Sequence, residues 1–408
     1  MTDREILSSL AREYMEAAAD PVNDERRKRA YLTNGLTPTR PLVWVDEVPW
    51  HEMNWEGEMT LTCQGEAARG MEHFFRRSLF QWRHFQADMI LEPFFPVPMI
   101  VRSTGNGLDV EEKIVRTDQM NHIVSHQYAD QLDSMEKLSR IRLPVLTRDR
   151  EAEEKNLSFA GDMLSGVMPA RLCGQYMAYV PWDDVSRYRG MSALLMDLLV
   201  EPELMHATIQ KLVECYTAQA DQMEQLGVFT SRVPKLHCTP GYSHELEDEE
   251  RAHGPTARCT WFRAAAQPLG QVSPALHDEF EVEYLLPLAS RFGLTYYGCC
   301  ESLYDRLDII KKIPNLRKVG VTPWSRVEAS AEGLGGGYVF ARKPNPALVM
   351  RNLDEDAVRK ETRETIEACL RHGCPYEFAL KDISTVSYKP QNLSRWVRIV
   401  EETIDAYY

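Results

Sequence analysis

Two adjacent thiols and a carboxylate, Cys299, Cys300 and Glu301, close the apolar run Leu294-Thr-Tyr-Tyr-Gly298. Leu294, Tyr296 and Tyr297 favour a strand, and Gly298 permits a tight turn. Ser302 reads as an N-cap, with Leu303, Leu307 and Ile310 recurring at helical spacing behind it. The three side chains therefore stand at the C-terminal end of a strand, where α/β proteins keep their chemistry. Thiolates bind borderline-soft metals, and a carboxylate either ligates or moves a proton. Neighbours on a regular strand point to opposite faces. Cys300 is therefore the expected metal ligand with Glu301 as the catalytic acid, and Cys299 is the second thiol. The bland alternative is a small buried apolar residue followed by an acid in the first turn of a helix.

Other residue types able to do chemistry fall elsewhere. In Lys235-Leu-His-Cys-Thr-Pro-Gly-Tyr-Ser-His-Glu245, the His237-Cys238 pair and Glu245 could complete a zinc site, or could simply belong to a solvated loop. His122 and His126 have the i, i+4 spacing of a helical metal site, although their surroundings do not read as a helix. Lys343 and Lys381 each follow a candidate strand, and are expected to bind a carboxylate or phenolate or to act as acids, unless they form salt bridges between strands. Gln267, Glu92 and Asp46 end further candidate strands and are the expected substrate-binding residues. Trp44, Trp50, Trp182, Trp261 and Trp324 are mostly core, with one or two free to wall an aromatic pocket.

The elements that must position these groups read as follows. Residues 1–40 form an N-terminal helical extension, with a helix from about Asp3 to Ala19 and a charged connector from Pro21 to Lys28. Residues 41–408 form one domain. Its candidate strands are Leu42–Val45, Met89–Phe95, Ala170–Tyr179, Thr260–Gln267, Leu294–Gly298, Arg317–Val321, Tyr338–Ala341 and Glu377–Leu380. Helices are expected over Glu72–Phe85, Glu201–Leu226, Ser273–Phe292, Leu303–Ile313, Asp356–Leu370 and Leu393–Ala406, with a capping box at Ser325 and Glu328. A long loop or hairpin is inserted at about 228–258, and residues 101–150 read as irregular. Eight strands alternating with helices favour a (β/α)8 TIM-type barrel over an open sheet.

Composition bounds the function. The 408 residues are 44% hydrophobic and 26% charged, as in an ordinary globular protein. A net charge of −14 argues against nucleic acid and anionic membrane as partners. No apolar run approaches the ~20 residues of a membrane span, and the first residues lack the pattern of a signal peptide. Nine scattered cysteines fit a reducing cytoplasm.

The order of elements from Pro268 to Tyr408, with Val272-Ser-Pro-Ala-Leu-His-Asp-Glu-Phe280, the cysteine-bearing strand and the closing strands, resembles the uroporphyrinogen decarboxylase-like superfamily. The stretch 174–227 fits the same pattern. The resemblance implies a barrel and one of two activities: decarboxylation of tetrapyrrole acetate groups, or zinc-assisted methyl transfer to or from a corrinoid protein. Arg26 to Arg40 do not match the arginine motif of the decarboxylases. The methyltransferases' His-x-Cys-Gly element corresponds to Gly298-Cys299-Cys300-Glu301, where the histidine is absent. Their later cysteine corresponds to Arg342-Lys343-Pro344, so the zinc triad carries over at Cys300 alone. The Tyr-Gly-Cys-Cys-Glu, Lys-Pro-Asn-Pro and Leu-Lys-Asp-Ile-Ser elements look like a branch associated with anaerobic O-demethylation. The expected activity is a methyltransferase component that moves a methyl group from a small, methoxylated aromatic or similar donor to a corrinoid protein, which carries the cobalamin. A metal-free uroporphyrinogen-like decarboxylase and a non-catalytic corrinoid-binding barrel are the alternatives. The oligomeric state stays open, a homodimer included.

Overall fold

The computed structural model describes residues 1–116 and 124–408. Seven short apolar runs pair side by side, all parallel. They are β1 (Val43–Val45), β2 (Met177–Tyr179), β3 (Trp261–Ala264), β4 (Leu294–Tyr297), β5 (Leu316–Val321), β6 (Val339–Arg342) and β7 (Tyr376–Leu380). Their order across the sheet is β1-β7-β6-β5-β4-β3-β2. From β2 onward each strand lies beside its sequence neighbour, as βα units with intervening helices require.

Seven of the eight expected strands are therefore present in one sheet. The Met89–Phe95 run is displaced. Its C-terminal end forms a short strand, Phe95–Pro98, that pairs with Ala170–Cys173 outside the main sheet. Residues just before it lie along β1 without forming a ladder, joined where the Asp88 amide donates to the Val43 carbonyl at 2.8 Å. The expected strand over 170–179 breaks in two at Gly174, where a Cβ would sit 2.7 Å from the Val228 carbonyl. The charged connector after Pro21 is a helix, Val22–Asn34. Residues 101–150 contain two antiparallel pairs, Val101–Ser103 with Leu146–Arg148 and Glu112–Val115 with Ser125–Tyr128. His126 sits on the second of these and bonds Glu112, and His122 lies outside the described residues. The helix expected over Leu303–Ile313 shrinks to Leu307–Ile310, and the helix at Val327 starts from Arg326 without the capping box. The long helices match closely: Asp3–Ala18, Pro202–Gln225, Glu355–His372 and Gln391–Asp405.

Alternation along the strands divides the sheet into two faces. Phe262, Ala264, Tyr297, Val319, Val321, Phe340, Phe378 and Leu380 pack with the helices in the main core. The other face carries Trp261, Arg263, Tyr296, Lys318, Ala341 and Glu377, all buried. Pairing offsets the cost of burying charge for two of them, Lys318 Nζ lying 2.7 Å from Glu377. Among the described residues, no helix is long and apolar enough to cross a membrane.

Candidate active site at the C-terminal edge of the sheet

Four chain segments bring sulfur, nitrogen and oxygen donors to one place. The first follows β4. Gly298 adopts φ +95°, and a Cβ there would meet Leu303 at 2.6 Å and the Gly320 backbone at 3.5 Å. Only glycine permits this turn against β5. The turn swings Cys299 inward, to 4% exposure, and leaves Cys300 half-buried. Glu301 turns inward too. Its carboxylate accepts the Cys299 amide at 2.9 Å and the Ala266 amide at 3.2 Å. It therefore fastens the thiol turn to the end of β3, with both oxygens engaged by backbone.

The second segment is the inserted stretch. It is a hairpin tip followed by a helix, His244–His253. Leu236 and Thr239 exchange backbone hydrogen bonds of 2.6 and 3.1 Å, leaving His237 and Cys238 as the two turn residues. His237 has φ +56° and Cys238 is not left-handed, the pattern of a type II′ turn that normally carries glycine first. The hairpin is anchored below by Lys318, which donates to Thr239 at 3.2 Å and to the Pro240 carbonyl at 3.4 Å.

These two segments meet. His237 Nε2 lies 3.3 Å from Cys299 Sγ, and Cys299 Sγ lies 3.5 Å from Cys300 Sγ. Glu47, just past β1, approaches Cys238 Sγ at 3.5 Å. One donor atom each from Glu47, His237 and Cys238 lies within 4.8 Å of the others. Lys381, just past β7, donates to Cys299 at 3.3 Å and to Cys300 at 3.8 Å, and pairs with Asp382 at 3.0 Å and Glu47 at 3.5 Å. Cys300 donates to Asp382 at 3.2 Å. Glu47, His237 and Asp382 have φ of +50°, +56° and +57°. Three non-glycine residues held left-handed around one cluster is the kind of local strain that accumulates at functional sites.

The electrostatics distinguish the two thiols. The close contact with Cys300, together with His237 and the charges of Arg263 and Lys381, holds the Cys299 thiol well below its usual range despite burial. The same contact with Cys299, with burial, pushes Cys300 up. Burial raises Cys238 and lowers His237, so the imidazole is neutral. Burial works against the Lys381 charge, but the Cys299 and Cys300 sulfurs more than offset it and hold its pKa above the usual range. Burial raises Glu47, opposed by Lys381.

Of the residues singled out from sequence, Cys299, Cys300, His237, Cys238, Lys381 and Glu301 come together. Lys343 is buried behind them, its Nζ 5.4 Å from the Tyr296 ring and without a hydrogen-bond partner. Gln267 donates to Asp183 at 3.1 Å, whose carboxyl is pushed up to about 6 by burial. The structure does not bring the other three to the cluster. Glu245 is an exposed residue held by both guanidinium nitrogens of Arg317 at 2.7 and 3.0 Å, near the N-terminal end of β5. Glu92 accepts from Tyr242 and pairs with Arg27 at 3.4 Å. Asp46 accepts from Lys235 at 2.8 Å. Glu47, Asp382, Arg263 and Asp183 were not singled out by sequence reasoning. Glu47 and Asp382 were within sight, each next to a residue that was.

No family model matches the chain, and no curated protein matches it at a significant level. Among solved structures 22 chains match. One is a methyltransferase from Methanosarcina mazei, with a TM-score of 0.52 over 94% of this chain and 99% of that one, at 11% identity. At that identity the likeness is one of fold.

Proposed function

We propose that this chain is a methyltransferase component that moves a methyl group from a small donor to a corrinoid protein, with zinc held at the thiol cluster. The observation that carries the reading is the convergence of His237, Cys238, Cys299 and Glu47 at the C-terminal edge of a parallel sheet. It is supported by the similarity in fold to the methanosarcinal methyltransferase. We read the seven-stranded sheet as the greater part of a (β/α)8 barrel, whose chemistry gathers at that edge.

The donor set fits zinc. Imidazole nitrogen, thiolate sulfur and carboxylate oxygen are its usual ligands, and they must bind deprotonated. The neutral His237 and the low-pKa Cys299 meet that requirement as they stand, whereas the Cys238 thiol, pushed up by burial, gives up its proton on binding. Glu47, His237 and Cys238 would hold the ion, and the Cys299 thiolate, 3.3 Å from His237, stands next to them as a further donor. When bound, zinc supplies Lewis acidity toward the heteroatom that carries the methyl group. The protein's own residues keep the site in order. Lys381 and Arg263 maintain Cys299 as a thiolate, Glu301 fixes the turn that presents it, and Lys318 fixes the hairpin that presents His237. The strong nucleophile is cob(I)alamin on the partner protein, so this chain need carry none. All nine cysteines are free thiols, which supports a reducing, cytoplasmic setting.

The test is metal analysis of the purified protein together with methyl transfer to added cob(I)alamin from a panel of methoxyaromatics and methylamines. One zinc per chain and methylcobalamin formation are expected. Full activity in metal-free protein, or no transfer from any donor, overturns the reading.

A further inference from the structure

Beside the thiol cluster lies a cavity of about 780 Å³, within the size range of small-molecule sites. Its lining carries both signs of charge. Glu47 and Asp382, which belong to the cluster, are its acids. His51, His73 and Arg77 also line it, with Trp50, Val48, Pro49, Met59 and Ile383 as apolar walls. His73 and Arg77 are one turn apart on helix Glu66–Phe80 and so share a face.

Arg77 is unlike the arginines around it. Arg76, its neighbour, is bound by Glu72 at 2.8 Å, and Arg83 by Glu13 and Glu58. Arg77 has no ion pair among the described residues, and its Nε is buried without a hydrogen-bond partner. Its guanidinium carbon lies 4.9 Å from the Trp50 ring centre, a cation–π contact. Burial pulls its pKa down and no neighbouring acid offsets this. The His51 Nε2 is buried and makes no hydrogen bond, but it lies 3.6 Å from the Glu52 carboxylate. Arg77 is half-buried, and its guanidinium, with no anion of its own, is open to one supplied by a ligand.

We propose that this cavity binds the methyl donor as a small planar monocarboxylate, with Arg77 gripping the carboxylate and the methyl-bearing end turned toward Glu47 and the thiols. The Arg fork matches a carboxylate bidentately. Trp50 and Met59 offer the flat apolar surface that an aromatic ring needs. The acids at the cluster end disfavour a second carboxylate there, which selects a donor neutral at its reacting end, such as a methoxybenzoate. The proposal deepens the functional reading above and rests on it for which end of the donor reacts.

Calorimetric titration with the ortho, meta and para methoxybenzoates and their neutral methoxybenzamides tests it. At least one benzoate should bind, roughly ten-fold or more tighter than its amide. Arg77→Met, which keeps the apolar stem over Trp50, should bring that acid down to the level of the amide and leave the amide unchanged. Equal affinity for acid and amide, no binding of any benzoate, or an Arg77→Met protein that keeps the preference overturns the proposal. The acid–amide contrast is read on the unaltered chain and needs no variant to fold. Carboxylate-dependent binding without transfer to cob(I)alamin would sink the methyltransferase reading and leave this site standing. Transfer from neutral donors with no preference for acids would do the reverse.

Discussion

His237 Nε2 and Cys299 Sγ stand 3.3 Å apart although 62 residues separate them in the chain. The contact joins the tip of a hairpin to the turn after β4, and each partner reaches it through constrained backbone: φ +56° at His237 and the φ +95° glycine just before Cys299. Two independent turns therefore aim a neutral imidazole at a thiolate. The imidazole beside the thiol turn is thus supplied by a different segment of the chain.

This geometry ranks the thiols. Cys299 is buried, with His237 and Lys381 both 3.3 Å from its sulfur, whereas Cys300 is half-buried and donates to Asp382. Lys381→Met should weaken zinc binding by roughly ten- to hundred-fold, the usual effect of losing a group that supports a ligand. Cys299→Ser should weaken it by more than that, and Cys300→Ser by less. Competition with a chromophoric chelator measures all three. A Cys300→Ser loss as large as that of Cys299→Ser would reverse the ranking.

The strain at His237 is separable from its chemistry. His237→Ala and His237→Gly both remove the imidazole, but only glycine is at ease at φ +56°. The glycine variant should be more stable than the alanine variant by about 1 kcal/mol, the cost of a left-handed L-residue. A higher thermal midpoint for His237→Gly is the expected reading. Equal midpoints would mean that the turn relaxes once the side chain is gone.

The parts of this arrangement that sequence revealed are those that depend on local pattern. The strand into Cys299, the turn at Gly298 and the lysine after β7 follow from propensity and position along the chain. Strand alternation, which favours Cys300 as the inward residue, stops at Gly298, and the structure buries Cys299 and leaves Cys300 half-buried. The backbone partners of the Glu301 carboxylate, Cys299 and Ala266, become neighbours only after folding, so no local pattern reveals that contact. Glu245 was drawn toward the metal by its closeness in sequence to His237, yet the intervening tight turn and helix carry it to Arg317. Glu47 was passed over for Asp46, and nothing local decides which of two adjacent acids turns toward the thiols.

The helix that carries Arg77 is fixed at its start by Glu72, which gives a pH signature. Burial alone would raise this carboxyl, but the amides of Cys63 and Thr62 and the Arg76 guanidinium outweigh it and hold its pKa at about 2. The folded pKa lies below the unfolded value, so its contribution is fully present above the ordinary glutamate range. It is lost as pH falls from about 4.5 toward 2. Thermal midpoints of the unaltered protein should therefore drop on acidification through that window, and Glu72→Gln should show a lower midpoint at pH 7 with a shallower acid decline. Parallel declines in the two proteins would count against the assignment.

Lys318 and Glu377 form an ion pair with both side chains essentially inaccessible to solvent. Removing one partner strands a buried charge, at a cost of about 3–5 kcal/mol, whereas replacing both by apolar groups is often nearly neutral. Lys318→Met should therefore lower the thermal midpoint sharply, and Lys318→Met with Glu377→Leu should recover most of it. Zinc affinity should behave differently. Lys318 also tethers the hairpin through Thr239 and the Pro240 carbonyl, and the double variant restores charge balance without restoring that tether. Both proteins lacking Lys318 should bind zinc more weakly than the unaltered chain, although the ammonium touches none of the proposed ligands. Recovery of affinity together with stability in the double variant would show that the hairpin holds its place without the lysine, and that the presentation of His237 is set by the turn alone.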